Sequence, residues 1–333
     1  MKRTPPAVYV FLLALLPIPG LAGTAVVGSG PGGGPTVNVY DTSSWTLQTS
    51  FFAFSPSFTG GVDVAVGDGK IVVGEGAGGS PQVNVYNAST LSEQNTVTAF
   101  SPSFSGGVDV AIGDGKIVVG EGPGGGPLIN VYDESTLTLL DSFLAFSPSF
   151  TGGTRVAIGN GQIVVGAGPG ASPTVNVYND NTFALENSFN AFSPSFNGGV
   201  SVALGDGKIA VGAGAGGGPQ VNLYDASTFA LQNSFFAFSP SFAGGVDVAV
   251  GGGNIVAGEG SGGTPTVNVF DENTLAQQDS FDAFSPSFTG GVSVAVPEPD
   301  PLLFMSIGFG LLYSWQRRRN SHDRIPGQAV RRA

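Results

Sequence analysis

Apolar and polar positions alternate in short runs along most of the chain, and the runs recur. In the stretch Gly60 to Phe104, Val62, Val64 and Val66 alternate with Asp63 and Ala65, the period of a pleated strand. Asp68-Gly69 follows, then the apolar run Ile71 to Val73, which predicts a hairpin through a turn suited to positive φ. A glycine-rich loop, Gly74 to Pro81, leads to a third strand around Val83, Val85 and Tyr86. The polar turn Asn87-Ala88-Ser89-Thr90 precedes a fourth strand, expected from about Thr96 to Phe100. No apolar pattern of period 3.6 persists for three turns, so the unit reads as four short antiparallel strands.

The unit repeats without insertion or deletion. Its FSPSF segment begins at Phe54, Phe100, Phe146, Phe192, Phe238 and Phe284, every step being 46 residues. A fixed period of this size marks an array, a solenoid or a propeller. The first copy enters part-way, at Ala25-Val26-Val27-Gly28, the equivalent of Ile71 to Gly74. The last stops after Gly291 to Val296, a first strand with nothing following. What one end lacks the other supplies. The expected fold is therefore all-β, a six-bladed β-propeller of four-stranded blades closed by the N- and C-terminal strands. Short apolar helices are expected at the two termini outside it, and an open β-array is the competing arrangement.

Composition changes this picture in two ways. Only 11% of residues are charged, with 54 Gly and 41% hydrophobic residues, which suits blades buried on both faces. Phe54, Phe58 and their counterparts fall at the crossings between blades, where packing is their expected work. Residues 23–297 hold only Lys70, Lys116, Arg155 and Lys208 against 21 acidic side chains, a net charge of −17. Nucleic-acid binding needs a basic footprint, and this body has the opposite. The chain has no cysteine and a single histidine, His322, in its last residues. Triads, thiol nucleophiles and His-ligated metals are excluded from the repeats, no catalytic residue is assigned and no cofactor is expected. The reading is not an enzyme.

Both flanks read as targeting segments. Lys2 and Arg3, the apolar run Ala7 to Leu16 and the small residues Gly20-Leu21-Ala22 predict a secretory signal peptide over 1–22, with a retained anchor as the alternative. Residues 23–296 are the propeller. Beyond it come Pro297-Glu298-Pro299, an apolar segment from Leu302 to Trp315 and the cluster Arg317-Arg318-Arg319. Arginines after an apolar segment stay cytoplasmic, which leaves the repeats outside the inner membrane. The 14 residues from Leu302 to Trp315 are few for a transmembrane helix, which suits a segment held briefly and then cut; a plain membrane anchor is the alternative. Residues 320–333 form a short cytoplasmic tail.

Two resemblances rest on these residues. Val118 to Leu137 (VVGEGPGGGPLINVYDESTL) and Phe54 to Gly69 (FSPSFTGGVDVAVGDG) resemble FG-GAP, or integrin-α-type, propeller repeats of bacterial surface proteins. That resemblance implies adhesion or scaffolding and, in many relatives, calcium between the first two strands of a blade. Here the acidic loop is reduced to Gly67-Asp68-Gly69-Lys70, and one Asp cannot supply the six to eight oxygens calcium takes, so no metal site is carried over. The order of Pro297, Glu298 and Pro299, the apolar segment and Arg317 to Arg319 resembles the PEP-CTERM sorting signal. It implies export by the Sec machinery, transient residence in the inner membrane, and cleavage by an exosortase of a Gram-negative bacterium that makes exopolysaccharide. The tail after Arg319 departs from that pattern, which usually ends near the arginines.

Three features inside the repeats bear on chemistry. The residue after each GGV or GGT, namely Asp63, Asp109, Arg155, Ser201, Asp247 and Ser293, would face the axis of a propeller. Together these six form a channel ring able to hold a cation or polar ligand, or simply a solvated mouth with Arg155 paired to Asp109. Glu75, Glu121 and Glu259 stand in the glycine loops and read as a binding face or as scattered surface charge. The loop Gly74 to Gly79 is glycine-rich like a phosphate loop but runs into a strand, so glycine serves tight turning there. The function expected is an exported cell-surface or exopolysaccharide-matrix structural or adhesion protein. The alternative is a multivalent, lectin-like glycan- or cation-binding propeller.

Overall fold

The computed structural model describes residues 23–297; the segments 1–22 and 298–333, with the apolar helix expected in each, lie outside the described residues. All the described secondary structure is strand and turn, arranged as a six-bladed propeller of four-stranded antiparallel sheets. Blade 1 holds β1 (Thr24–Ser29), β2 (Thr36–Asp41) and β3 (Thr46–Phe52). Blade 2 is β4 (Val62–Gly67), β5 (Lys70–Glu75), β6 (Gln82–Asn87) and β7 (Glu93–Thr98). Blade 3 is β8 (Val108–Gly113), β9 (Lys116–Glu121), β10 (Leu128–Asp133) and β11 (Leu139–Leu144). Blade 4 is β12 (Thr154–Gly159), β13 (Gln162–Ala167), β14 (Thr174–Asn179) and β15 (Leu185–Asn190). Blade 5 is β16 (Val200–Gly205), β17 (Lys208–Ala213), β18 (Gln220–Asp225) and β19 (Leu231–Phe236). Blade 6 is β20 (Val246–Gly251), β21 (Asn254–Glu259), β22 (Thr266–Asp271) and β23 (Gln277–Asp282). The fourth strand of blade 1 is β24 (Val292–Ala295), antiparallel to β1 with Val292 opposite Ser29 and Ala295 opposite Val26.

Local chemistry explains the strand boundaries. Asp68 at φ 48° and Gly69 at φ 81° make the hairpin between β4 and β5, a turn that needs positive φ at both central residues. The fourth strand runs from Glu93 to Thr98, earlier than the expected Thr96 to Phe100. Ala99 and Phe100 have already left the sheet for the crossing, where the Ala99 amide donates to the Pro81 carbonyl. One turn position was invisible in the sequence. Trp45, Leu91, Leu137, Phe183, Phe229 and Leu275 all sit at φ between 51° and 59° in the loop before the outer strand. Large side chains rarely adopt that conformation. Here it drops each of them onto a neighbouring blade, as Trp45 stacks on Phe281 with centroids 6.2 Å apart.

Blades pack face to face. Ile71, Val72 and Val73 are consecutive, point alternately to opposite faces and are all 0% exposed, because each face meets another blade. One cluster mixes Val26, Val37 and Val39 of blade 1 with Val64, Ile71 and Tyr86 of blade 2, and the other interfaces repeat the plan. Full burial of such a side chain is worth about 1.5–3 kcal/mol, so the stack itself carries most of the stability. The approach is close enough to require glycine near the end of β5. A Cβ on Gly74 would meet the Val108 carbonyl oxygen at 2.9 Å. The crossing phenylalanines contribute as expected: Phe54 packs on the cluster between blades 1 and 2 and meets Phe58 edge-on at 6.4 Å.

A polar clamp repeats at each interface. The Asn84 side-chain amide donates to the Ala53 carbonyl of the preceding blade at 2.9 Å, and the Tyr86 hydroxyl donates to the same oxygen at 2.7 Å. Asn38, Asn130, Asn176, Asn222 and Asn268 make the same bond, to Ala283, Ala99, Ala145, Ala191 and Ala237. Both lone pairs of a buried carbonyl are thereby used. Only Phe270 lacks the hydroxyl. Phe270→Tyr is expected to stabilise the propeller by about 1 kcal/mol in denaturant melts, the net worth of one such bond. An unchanged or lowered midpoint would mean that the hydroxyl does not count.

Candidate functional site

The first strands β4, β8, β12, β16, β20 and β24 lie at the axis, and the second residue of each faces it. Asp63, Asp109, Arg155, Ser201, Asp247 and Ser293 line one central cavity, so the structure brings all six expected ring residues together. The open space is about 50 Å³. A water molecule or small monatomic cation fits it, whereas pockets for larger organic ligands hold about 300–1,000 Å³.

The ring is knitted to the blades. Five of the six side chains reach across to the next first strand. Asp63 Oδ2 accepts the Val110 amide at 2.7 Å, Asp109 Oδ1 the Val156 amide at 2.6 Å and Asp247 Oδ2 the Val294 amide at 2.8 Å. Ser201 Oγ accepts the Val248 amide and Ser293 Oγ the Val64 amide, both at 3.2 Å. The two serines then donate sideways, Ser201 to Asp247 Oδ1 at 2.7 Å and Ser293 to Asp63 Oδ1 at 2.8 Å. Arg155 has only donors and cannot serve the Val202 amide this way. Its Nε instead stands 3.5 Å from Asp109 Oδ2, and its Nη1 donates to the Thr154 carbonyl.

The electrostatics follow from three carboxylates and one guanidinium at close quarters. Burial, then the charge of Asp247, pushes the Asp63 carboxyl up to about 6. Asp109 is pushed well above the usual range by burial and by Asp63, against the pull of Arg155. Asp247 is raised by burial while Ser201 and the Val294 amide act against it. Burial opposes the Arg155 charge, but Asp109, Asp63 and Asp247 outweigh it and hold the guanidinium protonated. The arrangement is a proton-accepting, hydrogen-bonded girdle around the axis. Among the described residues no group of three or more His, Asp or Glu is disposed to hold a metal ion.

The other three cations of the body join blades. Lys70 meets Glu134 at 3.1 Å, Lys116 meets Asp180 at 2.7 Å and Lys208 meets Glu272 at 2.9 Å, each pair crossing one interface. The equivalent positions at the remaining interfaces are Gln162 with Ala226, Asn254 with Thr42 and Thr24 with Ala88. A lysine occurs only where an acid faces it. Sequence reasoning missed these pairs, although the signal is present as an acid 64 residues beyond each lysine.

The glycine-loop glutamates are tied to their own loops, Glu75 buried and Glu121 and Glu259 partly exposed. Glu75 is buried and accepts from the Ser80 hydroxyl at 2.9 Å, and Glu259 accepts from Thr264 at 2.9 Å. Burial raises the half-buried Glu121. They brace the loops they belong to. On the same end of the body a groove of about 350 Å³ runs between the loops of blades 3 and 4, lined by Pro123, Ser149, Phe150, Thr151, Pro169 and neighbouring glycines with no charged group. Of the sorting residues, Pro297 lies against Gly251 of blade 6, two positions beyond β24; Glu298, Pro299, Arg317, Arg318 and Arg319 lie outside the described residues.

Fold and ring together define a six-bladed propeller with an acidic body and a hydrogen-bonded axis. No family model and no curated protein matches the chain. Among solved structures it is similar to a chain in the crystal structure of the mitotic checkpoint complex, with 16% identity and a TM-score of 0.48 over 75% of this chain and 73% of that one.

Proposed function

We propose that the chain is an exported scaffold or adhesion protein of the bacterial surface or exopolysaccharide matrix, delivered by a cleavable leader and trimmed near Pro297 by an exosortase. The observation that carries this reading is position. Pro297-Glu298-Pro299 begins two residues after the end of β24, so removing everything beyond it takes no strand from the ring that β24 and β1 close. The arginine cluster beyond the apolar segment would hold the tail in the cytoplasm until cleavage. The body itself suits a structural part: all four of its cations are engaged internally, leaving an acidic exterior that keeps the exported protein soluble.

Mass spectrometry of the mature protein tests the sorting step. Material from cells with the sorting enzyme is expected to end near Pro297, and the triple change Pro297→Ala, Glu298→Ala, Pro299→Ala should leave the tail in place. Exported protein that still carries Arg317 to Arg319 would overturn the reading. Binding of exopolysaccharide fragments at several equivalent sites would move the lectin-like alternative ahead, with the uncharged groove beside Phe150 as its first candidate.

A further inference from the structure

The outermost strand of each blade, β3, β7, β11, β15, β19 or β23, has a neighbour on one side only. Its outer backbone groups are therefore open to a further strand. Natural proteins blunt such edges with charge, proline or bulges. All six edges carry the same bulge at the end nearer the preceding turn, so the bulge does not distinguish them. Side chains do. On β3, Leu47 is 53% and Phe52 57% exposed; on β19 the equivalents Leu231 and Phe236 are 56% and 52% exposed. On β11 the equivalents Leu139 and Leu144 are 49% and 47% exposed. The strands between them carry Glu93 and Thr98, Leu185 and Asn190, and Gln277 and Asp282 at those positions.

The blades follow one another around the ring in chain order, so edges apolar at both ends alternate with edges that are not, β15 keeping only Leu185, 55% exposed. Charge singles out two of the apolar edges. β3 and β19 contain no ionisable group; β11 with Asp141, β7 with Glu93 and β15 with Glu186 carry one acid each, and β23 carries Asp279 and Asp282. In a body of net charge −17, two copies meet with no carboxylate on either strand at β3 and β19, and with a single Asp141 from each copy at β11. An antiparallel pair about a two-fold axis matches such an edge to itself, because the Leu47 end of one copy then meets the Phe52 end of the other.

We infer that alternate outer edges, β3, β11 and β19, are self-association surfaces on which a second copy of this chain adds its own edge strand. A junction of six or seven residues is smaller than the roughly 1,200–2,000 Å² of a stable interface, so one edge alone holds weakly. Three edges per copy, engaged at once, supply the avidity, and the product is a net of propellers rather than a closed pair. This inference stands apart from the sorting step and needs only the edges of the body.

The chain's lack of cysteine makes the test clean. Ser50, Ser234, Ser188 and Ser280 are exposed at equivalent outer-strand positions. In intact cells producing the full chain, copper-phenanthroline oxidation of Ser50→Cys or Ser234→Cys is expected to give at least about fivefold more disulfide dimer than Ser188→Cys or Ser280→Cys. The triple variant Ser50→Cys, Ser142→Cys, Ser234→Cys should give a ladder of higher oligomers. Adding Leu47→Lys and Phe52→Lys should abolish the Ser50→Cys dimer while leaving that from Ser234→Cys. Equal cross-linking at apolar and polar edges, no cross-linking at any edge, or dimers that survive the lysines would each overturn the inference. An edge covered by some other protein would appear as no cross-link.

Discussion

Lys116→Gln is expected to destabilise the propeller by about 3–5 kcal/mol, and adding Asp180→Ala is expected to return most of that loss. The Asp180 side chain is 2% exposed, and its Oδ2 has Lys116 Nζ as partner at 2.7 Å. The other oxygen is held by the Asn181 side-chain amide at 2.7 Å. Removing the lysine alone strands a buried charge, which is the expensive half of breaking a buried ion pair. The double variant instead recreates the interface one step further round the ring, where Gln162 faces Ala226 and both blades are well packed. Denaturant midpoints of the two singles and the double close a mutant cycle. If Lys116→Gln and the double lose equally, the pair is not the reason lysine and acid occur together at three of the six interfaces.

That pairing marks where the sequence stops being readable. The inner three strands of each blade announce themselves because they are buried on both faces and flanked by glycine turns, as Ile71 to Val73 are. The axis was legible too, since the residue after GGV must face it once six blades share a centre. The outer strand was placed too late because Glu93 to Thr98 is a polar edge without an apolar period. The Asn84 position is Asn in all six copies, but the strand pattern does not say what the side chain bonds. Its partner, the Ala53 carbonyl, lies 31 residues away and belongs to the backbone, which carries no sequence signal. Leu91 and Trp45 at positive φ were hidden for the opposite reason: the conformation ordinarily calls for glycine, and contact with the next blade overrides it.

The same ring should make stability rise as pH falls from about 7.5 to about 5. Asp63 is raised by burial and by Asp247 up to about 6 in the folded chain, above its unfolded value of 3.8. A carboxyl raised in this way binds its proton more readily when folded. Its contribution is therefore fully present below the unfolded value and is lost as pH rises through about 6, an effect on the order of 3 kcal/mol for Asp63 alone. Asp109 and Asp247 are raised too and act in the same direction, as does Glu134, where burial outweighs Lys70. The exposed turn residues Asp41, Asp133, Asp225 and Asp271 are lowered by hydrogen bonds from Ser43, Thr136, Thr228 and Thr274, so their contribution is lost only in more acidic solution. Asp63→Asn separates the ring from everything else. The amide oxygen can still accept from Val110 and the amide nitrogen can donate to Ser293, so melting temperature at about pH 7.5 should rise and the slope between 7.5 and 5 should flatten. Arg155→Met should do the reverse. It removes the cation facing Asp109, Asp63 and Asp247, at about 1–3 kcal/mol near neutral pH once discounted for a solvent-reached side chain. That side chain is 39% exposed. The loss should shrink as the carboxyls protonate, and a loss independent of pH would mean that Arg155 acts through packing rather than charge.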